Sequence, residues 1–428
     1  MFMRRRSVTT ATILLLGIYI MCQLALRYYA AGSGELVKRH NAPRDDRVID
    51  KATAYAELAR QQYATNETLR HLYMQSSTHD MTRTLTGDSN TNDTHRIHIV
   101  VTSYAQVTQQ DDVQHLIQAR ALLKSALLNN PTSLHFHIFA EDYYRFYLGQ
   151  FLYQSRQLRR FDFMYTFYNF TYALTSDVTT TNNTRAGRAL ELRALEVLYL
   201  PVALPGIERV LYLDSGSLVL GPLQEMWAVF DTLDPVQSVS MAYNPWLVDD
   251  HTPKRSLPRS LTTEATPSLD YSTDVMLMDL QKLRQHSSWQ QEVKNYVADS
   301  HARNRAITPE IVLNTMRKNH CDLFHTMPCS YNYHQNFCAS AEPTINSRDA
   351  SQRCDGADYG ALILRGTGTT FRADDSLMKY VFDAYEVLKI AVHDVQYLKD
   401  LIRETMLPRY NANCYHIREI FYKRLNAE

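Results

Sequence analysis

A carboxylate ends an otherwise apolar run near the middle of the chain. The residues Arg209-Val210-Leu211-Tyr212-Leu213 are almost continuously apolar, and Asp214 follows them directly. In open α/β sheets, ligands bind at the carboxyl ends of the strands. An ionised carboxylate at such a position accepts hydrogen bonds and attracts cations. Asp214 is therefore the first candidate for a residue that takes part in chemistry.

The segments on either side of Asp214 predict the elements that must position it. Short, apolar and β-branched runs predict buried strands at 97–102 and 134–139. Between them, apolar residues recur on one face of a helix. This strand–helix–strand order predicts the α/β class with a parallel sheet. Further helices are predicted at about 141–152, 188–200, 310–319, 376–388 and from 391 onward, and further strands at 238–243 and 274–279.

The composition is that of a neutral globular protein. The 428 residues include 45 basic and 45 acidic side chains, so the formal net charge is zero. A neutral chain lacks the electrostatic attraction expected of a nucleic-acid binder, and we expect no nucleic-acid partner. Few Gly (13) and Pro (14) residues and no fixed-period repeat argue against collagen-like, low-complexity and repeat architectures.

The first residues predict a membrane anchor. Three arginines, Arg4 to Arg6, precede an uncharged and mostly apolar run over 7–26, which is long enough to cross a bilayer. The arginine excess before this run predicts a cytosolic tail at 1–6 and a type II single-pass protein. A stem is then predicted at 27–95 and a luminal domain at 96–428, in the Golgi or endoplasmic reticulum. A cleavable signal peptide is the alternative interpretation.

Two further features agree with an oxidising lumen. N-glycosylation sequons begin at Asn66, Asn92, Asn169 and Asn182. Five cysteines in the last quarter of the chain predict two disulfides and one cysteine left over, with the pairing open. They are Cys321, Cys329, Cys338, Cys354 and Cys414. The chain has no CxxC pair, which argues against a zinc site.

Several segments of the chain resemble, in the same order, the glucoside xylosyltransferases of glycosyltransferase family 8. Those are Golgi membrane proteins that add xylose to O-linked glucose on EGF repeats. The segments, which extend over about residues 97 to 420, are FHIFAED at 136–142, YLDSGSLVL at 212–220, VMLM at 275–278, PCSYNY at 328–333 with Cys338 and Cys354, and ILRG at 363–366 with Asp374-Asp375.

The resemblance implies a GT-A fold, which is a Rossmann-like mixed sheet, and transfer with retention of anomeric configuration. It implies a UDP-sugar donor, UDP-xylose, and a glycoprotein acceptor such as O-glucosylated EGF repeats. It also implies manganese, for which Asp214 is the expected ligand. The residues expected to bind the donor or its diphosphate are Val101, Thr102, Arg193, Asp214, Ser215, Gly216, Arg365 and Gly366.

The chain departs from this family at the metal motif. Gly216 replaces the second carboxylate and Arg365 replaces the metal histidine, while Asp274 replaces a glycine. The family's arginine aligns with Val197, and Arg193 lies one helical turn upstream. Three interpretations stay open: a metal-dependent xylosyltransferase with ligands from elsewhere, a metal-independent transferase in which Arg365 neutralises the diphosphate, and a catalytically degenerate glycan- or protein-binding factor.

Other conspicuous residues have simpler interpretations. The aromatic run at 161–172 predicts a half-buried strand rather than a sugar-stacking surface. His135 and His137 alternate with apolar neighbours and are predicted to pack or hydrogen-bond rather than bind a ligand. The pair Asp249-Asp250 is predicted to lie in a solvated loop.

Overall fold

The protein is described by a computed structural model, and the described residues lie within the range Asn66–Glu428. The described residues are 96–104, 109–170, 193–243, 271–302, 307–334, 354, 360–366, 371–372, 376–408 and 418–426. The predicted anchor at 7–26, the stem at 27–95 and the predicted loop that contains Asp249-Asp250 lie outside them. Within the described ranges, no helix has the length and apolar character needed to cross a bilayer.

A seven-stranded mixed sheet forms the centre of the fold. Its order is β3-β2-β1-β4-β7-β6-β8, in which β3, β2, β1 and β4 are parallel and β7 is antiparallel to both neighbours. The parallel pairing of β1 with β2 confirms the predicted α/β class. The strands are β1 (Ile97–Ser103), β2 (Leu134–Ala140), β3 (Phe163–Tyr168), β4 (Arg209–Leu213), β6 (Val239–Tyr243), β7 (Tyr271–Asp279) and β8 (Phe324–Met327).

Helices cover both faces of this sheet. Alternate residues of β1 enter different apolar clusters, since Ile99 packs on one face and Val100 on the other. The helices are α1 (Gln109–Leu128), α2 (Asp142–Gln157), α3 (Leu200–Ala203), α4 (Gln224–Trp227), α5 (Leu280–Gln285), α6 (Trp289–Ala302), α7 (Pro309–Asn319), α8 (Leu377–Val387), α9 (Val395–Met406) and α10 (Glu419–Asn426). The two-sided burial explains why the central strands are apolar on both faces.

A second, three-stranded sheet lies beside the end of β4. It has the order β5-β10-β9, with β5 at Ser217–Val219, β9 at Tyr333–His334 and β10 at Ile363–Arg365. Cys329 and Cys354 form a disulfide near this sheet, and Cys321 is a free, exposed cysteine. Cys338 and Cys414 lie outside the described residues, so the predicted second disulfide stays a prediction.

One predicted helix differs in the structure. The segment predicted at 188–200 is described from residue 193, and most of it is a 3-10 helix, Leu195–Tyr199, that leads into α3. Pro201 at the first turn of α3 has no N–H to donate to the carbonyl of Val197, so a continuous α-helix cannot pass through this point. The aromatic run forms β3 with mostly half-buried side chains, as predicted.

Candidate functional site

Two carboxylates face each other where β4 ends and β7 begins. These strands are antiparallel, and Leu213 pairs with Val275, so the next residues, Asp214 and Asp274, are opposite each other. The backbone N–H of Asp214 donates to the carbonyl of Asp274 at 2.8 Å. The acid that the resemblance places at 216 is therefore supplied at this edge by another strand.

The guanidinium of Arg365, the last residue of β10, lies between these carboxylates. Its Nη2 is 2.5 Å from Oδ2 of Asp214 and donates to Oδ1 of Asp274 at 3.1 Å, while Nε is 2.9 Å from Oδ2 of Asp274. Nη1 donates to the carbonyl of Gly366 at 2.7 Å. The Arg365 side chain is only 9% exposed, against 26% for Asp214 and 31% for Asp274. These exposures make the three groups a largely buried ionic cluster.

The cluster fixes the charges of its members. Burial acts to raise the pKa of Asp274, but the charge of Arg365 and hydrogen bonds from Arg365 and Ser272 hold that pKa below its ordinary value. Burial acts to lower the pKa of Arg365, and Asp214 and Asp274 outweigh it and raise the pKa further. Asp274 and Arg365 are therefore both charged at neutral pH.

Gly216 makes room for the guanidinium. A Cβ at this position would overlap Nη1 of Arg365 and would lie 2.6 Å from the carbonyl oxygen of Gly366. The backbone of Gly216 is also used, because its carbonyl accepts the N–H of Gly366 at 2.9 Å. A Cβ at Gly366 would lie 2.5 Å from the ring of Phe371. Both glycines allow a close approach that larger residues would prevent.

A buried histidine lies next to the cluster. His334 on β9 pairs in register with Arg365 on the parallel strand β10. Burial and the charge of Arg365 lower the pKa of His334 from 6.5 to about 4, against the opposing effect of Asp274. His334 is therefore neutral at physiological pH.

Two further residues border the cluster from the side of β1. The Tyr104 pKa is raised by burial and by the charge of Asp214, while Arg193 and Arg365 act to lower it. Tyr104 thus lies within electrostatic reach of Arg193 as well as of the ionic cluster. Arg193 itself forms an ion pair with Glu141, the residue that follows β2.

The other predicted donor-binding residues have structural contacts. Val101 packs in the apolar core, and the hydroxyl of Thr102 is 3.0 Å from that of Tyr212. Ser215 is buried, and its Oγ is 2.7 Å from Nε2 of His115 on α1. Donor binding by these residues stays a prediction. The same holds for donor binding by Arg193, Asp214, Gly216, Arg365 and Gly366.

The residues at this edge do not fit the manganese ion that the resemblance implies. Both carboxylates are in contact with a guanidinium that fills the space beside Gly216. A dication on the same oxygens would be repelled by this fixed positive charge. Residue 365, where the resemblance places an imidazole ligand, carries a cation instead.

Sequence reasoning identified some of this cluster and missed the rest. It noted Asp274 as a departure from the family but did not place it in the site, because that needs the register of β4 with β7. His334 and Tyr104 were not singled out. The signal for Tyr104 was its position directly after β1, at the same edge of the sheet as Asp214.

Comparison with known proteins agrees with the resemblance. Residues 64–352, more than half of the chain, match Glycosyl transferase family 8. Glucoside xylosyltransferase 1 of Gallus gallus is 22% identical over 340 residues, which cover 73% of this chain and 70% of that protein. Glucoside xylosyltransferase 2 of Xenopus laevis is 23% identical over 329 residues, covering 71% and 70%.

Two solved structures are also similar to this chain. The apo form of mouse xyloside xylosyltransferase 1 matches with a TM-score of 0.48 and 17% identity, over 64% of this chain and 99% of that one. The galactosyltransferase LgtC with donor and acceptor sugar analogs matches with a TM-score of 0.45 and 14% identity, over 72% of this chain and 96% of that one.

Proposed function

The chain belongs to glycosyl transferase family 8, and we propose that it transfers a sugar from a nucleotide-sugar donor without a divalent metal. The names of the relatives support xylose as the sugar and a glucoside as the acceptor. The proposed donor is thus UDP-xylose and the acceptor an O-glucosylated glycoprotein, such as one with EGF repeats, in the secretory pathway. Retention of anomeric configuration is proposed with the family.

The guanidinium between Asp214 and Asp274 is the observation that carries this proposal. Negative charge develops on the leaving diphosphate, and a preorganised cation in a water-poor site stabilises such charge. In family members that use a metal, the dication has this role. Here Arg365 supplies a permanent cation at the carboxyl edge of the sheet, and its fork binds the carboxylates, which holds Nη1 in place for a phosphate oxygen.

Each residue of the cluster has a proposed part. Nη1 of Arg365 has two hydrogens, and the Gly366 carbonyl accepts one of them. The second would bind a phosphate oxygen. Asp214 and Asp274 hold the guanidinium in place, and Arg193 supplies a further positive charge within reach of the diphosphate. Gly216 keeps open the space that the guanidinium fills.

The same ion pairs favour a second candidate function. The two carboxylates and Arg365 already compensate most of each other's charge, so the cluster is stable without a ligand. A domain of this kind could bind a glycan or a protein without transferring a sugar. Sugar turnover distinguishes the two candidates, because only the first predicts it.

Binding of UDP by the full-length protein in detergent tests both candidates. Calorimetry in manganese and in EDTA should give the same UDP affinity, and UDP-xylose hydrolysis should be equal in the two buffers. Arg365→Lys keeps the charge but removes the fork, so UDP affinity should fall at least tenfold. The matched control is Arg424→Lys, at another buried arginine, which pairs with Glu225 and should bind UDP normally.

Each result decides between the candidates. Loss of UDP binding in EDTA would show that the metal-free proposal is wrong. UDP binding with no turnover of any UDP-sugar in a donor panel would favour the non-catalytic candidate. No UDP binding in either buffer would contradict the transferase proposal altogether.

A further inference from the structure

Three histidines meet on one face of the large sheet, away from the Asp214–Arg365 cluster. His98 on β1 is in register with His135 on β2, and His137 follows two residues later on the same face. All three are buried, at 8%, 9% and 1% exposure. Thr102, near the other end of β1, lies four positions beyond His98, which is about 13 Å along the strand.

The ring nitrogens of these histidines converge. Nδ1 of His98 is 2.9 Å from Nε2 of His137, and the His135 and His137 rings are tilted by 32° with centroids 4.1 Å apart. One ligand nitrogen from each histidine lies within 4.8 Å of the other two. Within the described part of the chain, this is the group of three or more metal-ligating side chains that is close enough to hold one ion.

We propose that His98, His135 and His137 bind one divalent transition-metal ion, namely zinc. Tetrahedral Zn–N bonds of about 2.0–2.1 Å place ligand nitrogens about 3.4 Å apart. His98 and His137 would therefore separate by about 0.5 Å to admit the ion, and His135 would move closer. Imidazole nitrogen suits zinc, whereas manganese prefers oxygen ligands.

The neighbouring strand β3 supplies the contacts that orient two of the ligands. The hydroxyl of Tyr168 is 2.9 Å from Nδ1 of His137, and Oγ1 of Thr166 is 3.0 Å from Nε2 of His135. A metal-bound imidazole usually has its second nitrogen held by such an outer partner. These contacts assign Nε2 of His137 and Nδ1 of His135 as the nitrogens that bind the metal.

The lowered pKa of His137 agrees with this assignment. Burial, together with His135 and His98, lowers the pKa of His137 well below its ordinary value. Neutral imidazole is the form that binds a metal, and the proton shared by Nδ1 of His98 and Nε2 of His137 would move to another ring nitrogen when the ion binds. The bound ion would join β1 to β2 and thereby stabilise the sheet.

The sequence predicted that His135 and His137 pack or hydrogen-bond rather than bind a ligand. The structure shows hydrogen bonds for both, and the proposed zinc site departs from the rest of that prediction. The sequence argued against zinc from the cysteines alone. The third member, His98, is 37 residues from His135 along the chain, so no sequence spacing shows the cluster. Only the parallel register of β1 with β2 does.

Metal titration of the full-length protein tests the proposal. After metal-free dialysis, the protein should bind one zinc per chain by elemental mass spectrometry, with a raised Tm. Cobalt in place of zinc should give the intense visible bands of a tetrahedral site. His135→Gln should weaken zinc binding at least a hundredfold. The matched control is His325→Gln, at a histidine on β8 that contacts Ser240 and should leave zinc binding unchanged.

Two results would overturn the proposal. One is that the wild-type protein binds no zinc, or binds cobalt without tetrahedral bands. This result needs no variant, so it stands even if His135→Gln fails to fold. The other is folded His135→Gln protein with unchanged zinc affinity. UDP affinity should be the same with and without zinc, so failure here is distinguishable from failure of the transferase proposal.

Discussion

Polar side chains at the two ends of the large sheet are stabilised in different ways. At the carboxyl end of β4, Asp214 and Asp274 are a quarter to a third exposed and are compensated by Arg365. Toward the amino end of β1 and β2, the polar groups are imidazoles that are almost fully buried, and burial lowers the pKa of His137 well below its ordinary value. A buried charge requires a partner or solvent, and a neutral imidazole requires only hydrogen bonds.

The two ends of the sheet therefore differ in the source of their cation. The carboxylate end contains its own cation, fixed by the chain at residue 365, whereas the histidine end contains ligands for a cation from solution. If both proposals hold, a chelator lowers the thermal stability of the protein but does not change its affinity for UDP. The metal requirement of this chain is then structural and lies away from the donor site.

The largest expected effect comes from removing the built-in cation. Arg365→Met breaks the contacts with Asp214 and Asp274 and leaves two partly buried carboxylates opposite each other. We expect the free energy of unfolding to fall by about 3–5 kcal/mol, as for a broken buried ion pair, measured by urea denaturation.

An exposed ion pair provides the control for this prediction. Arg403→Met breaks the pair with Asp400, in which both side chains are about half exposed, and should cost less than about 1 kcal/mol. Equal losses in the two variants would mean that the cluster at Arg365 is no more tightly coupled than a surface pair.

The sequence predicted the main strands because a buried strand has a local signature. The run that ends at Leu213 is apolar, and its successor Asp214 is at the sheet edge as expected. The replacements at Gly216 and Arg365 were also visible in the sequence, as separate departures from one motif. Their physical connection was not, because it requires the distance between a Cβ at 216 and the guanidinium.

Long-range register explains what sequence reasoning could not supply. Asp274 enters the site because β7 is antiparallel to β4, and His98 joins His137 because β1 is parallel to β2. Neither pairing is encoded in the spacing of the residues concerned. The local elements were therefore predictable, while the side-chain clusters that cross strands were not.

An intermediate effect is expected from restoring the motif that the family resemblance describes. Gly216→Asp alone places a side chain on Nη1 of Arg365 and should cost about 2–3 kcal/mol through overpacking. Combined with Arg365→His, the overlap with the guanidinium disappears while the close approach to the Gly366 carbonyl stays, so the double variant should be more stable than the sum of the single effects by about 1–2 kcal/mol. Unfolding of all four proteins measures this coupling.

The same double variant tests which cation the site uses. With an imidazole at 365 and a second carboxylate at 216, UDP binding should become dependent on manganese, while the wild-type protein stays independent of it. Additive stabilities, together with manganese-independent UDP binding in the double variant, would contradict the steric and electrostatic exchange of Arg365 for a metal.

The smallest expected effect concerns His334, the buried histidine at the carboxylate end of the sheet. Burial and Arg365 lower the pKa of His334 to about 4, so between about pH 4 and pH 6.5 the unfolded chain binds a proton that the folded chain does not. The free energy of unfolding should therefore be highest above pH 6.5 and fall as the pH drops toward 4. His334→Gln removes this contribution and should reduce the loss between pH 7 and pH 5 by about 1–2 kcal/mol. Urea denaturation at both pH values measures it, and parallel curves for the two proteins would contradict the lowered pKa of His334. The pH dependence at the carboxylate end therefore comes from burial of His334 and, second, from Arg365, a cation that is part of the chain.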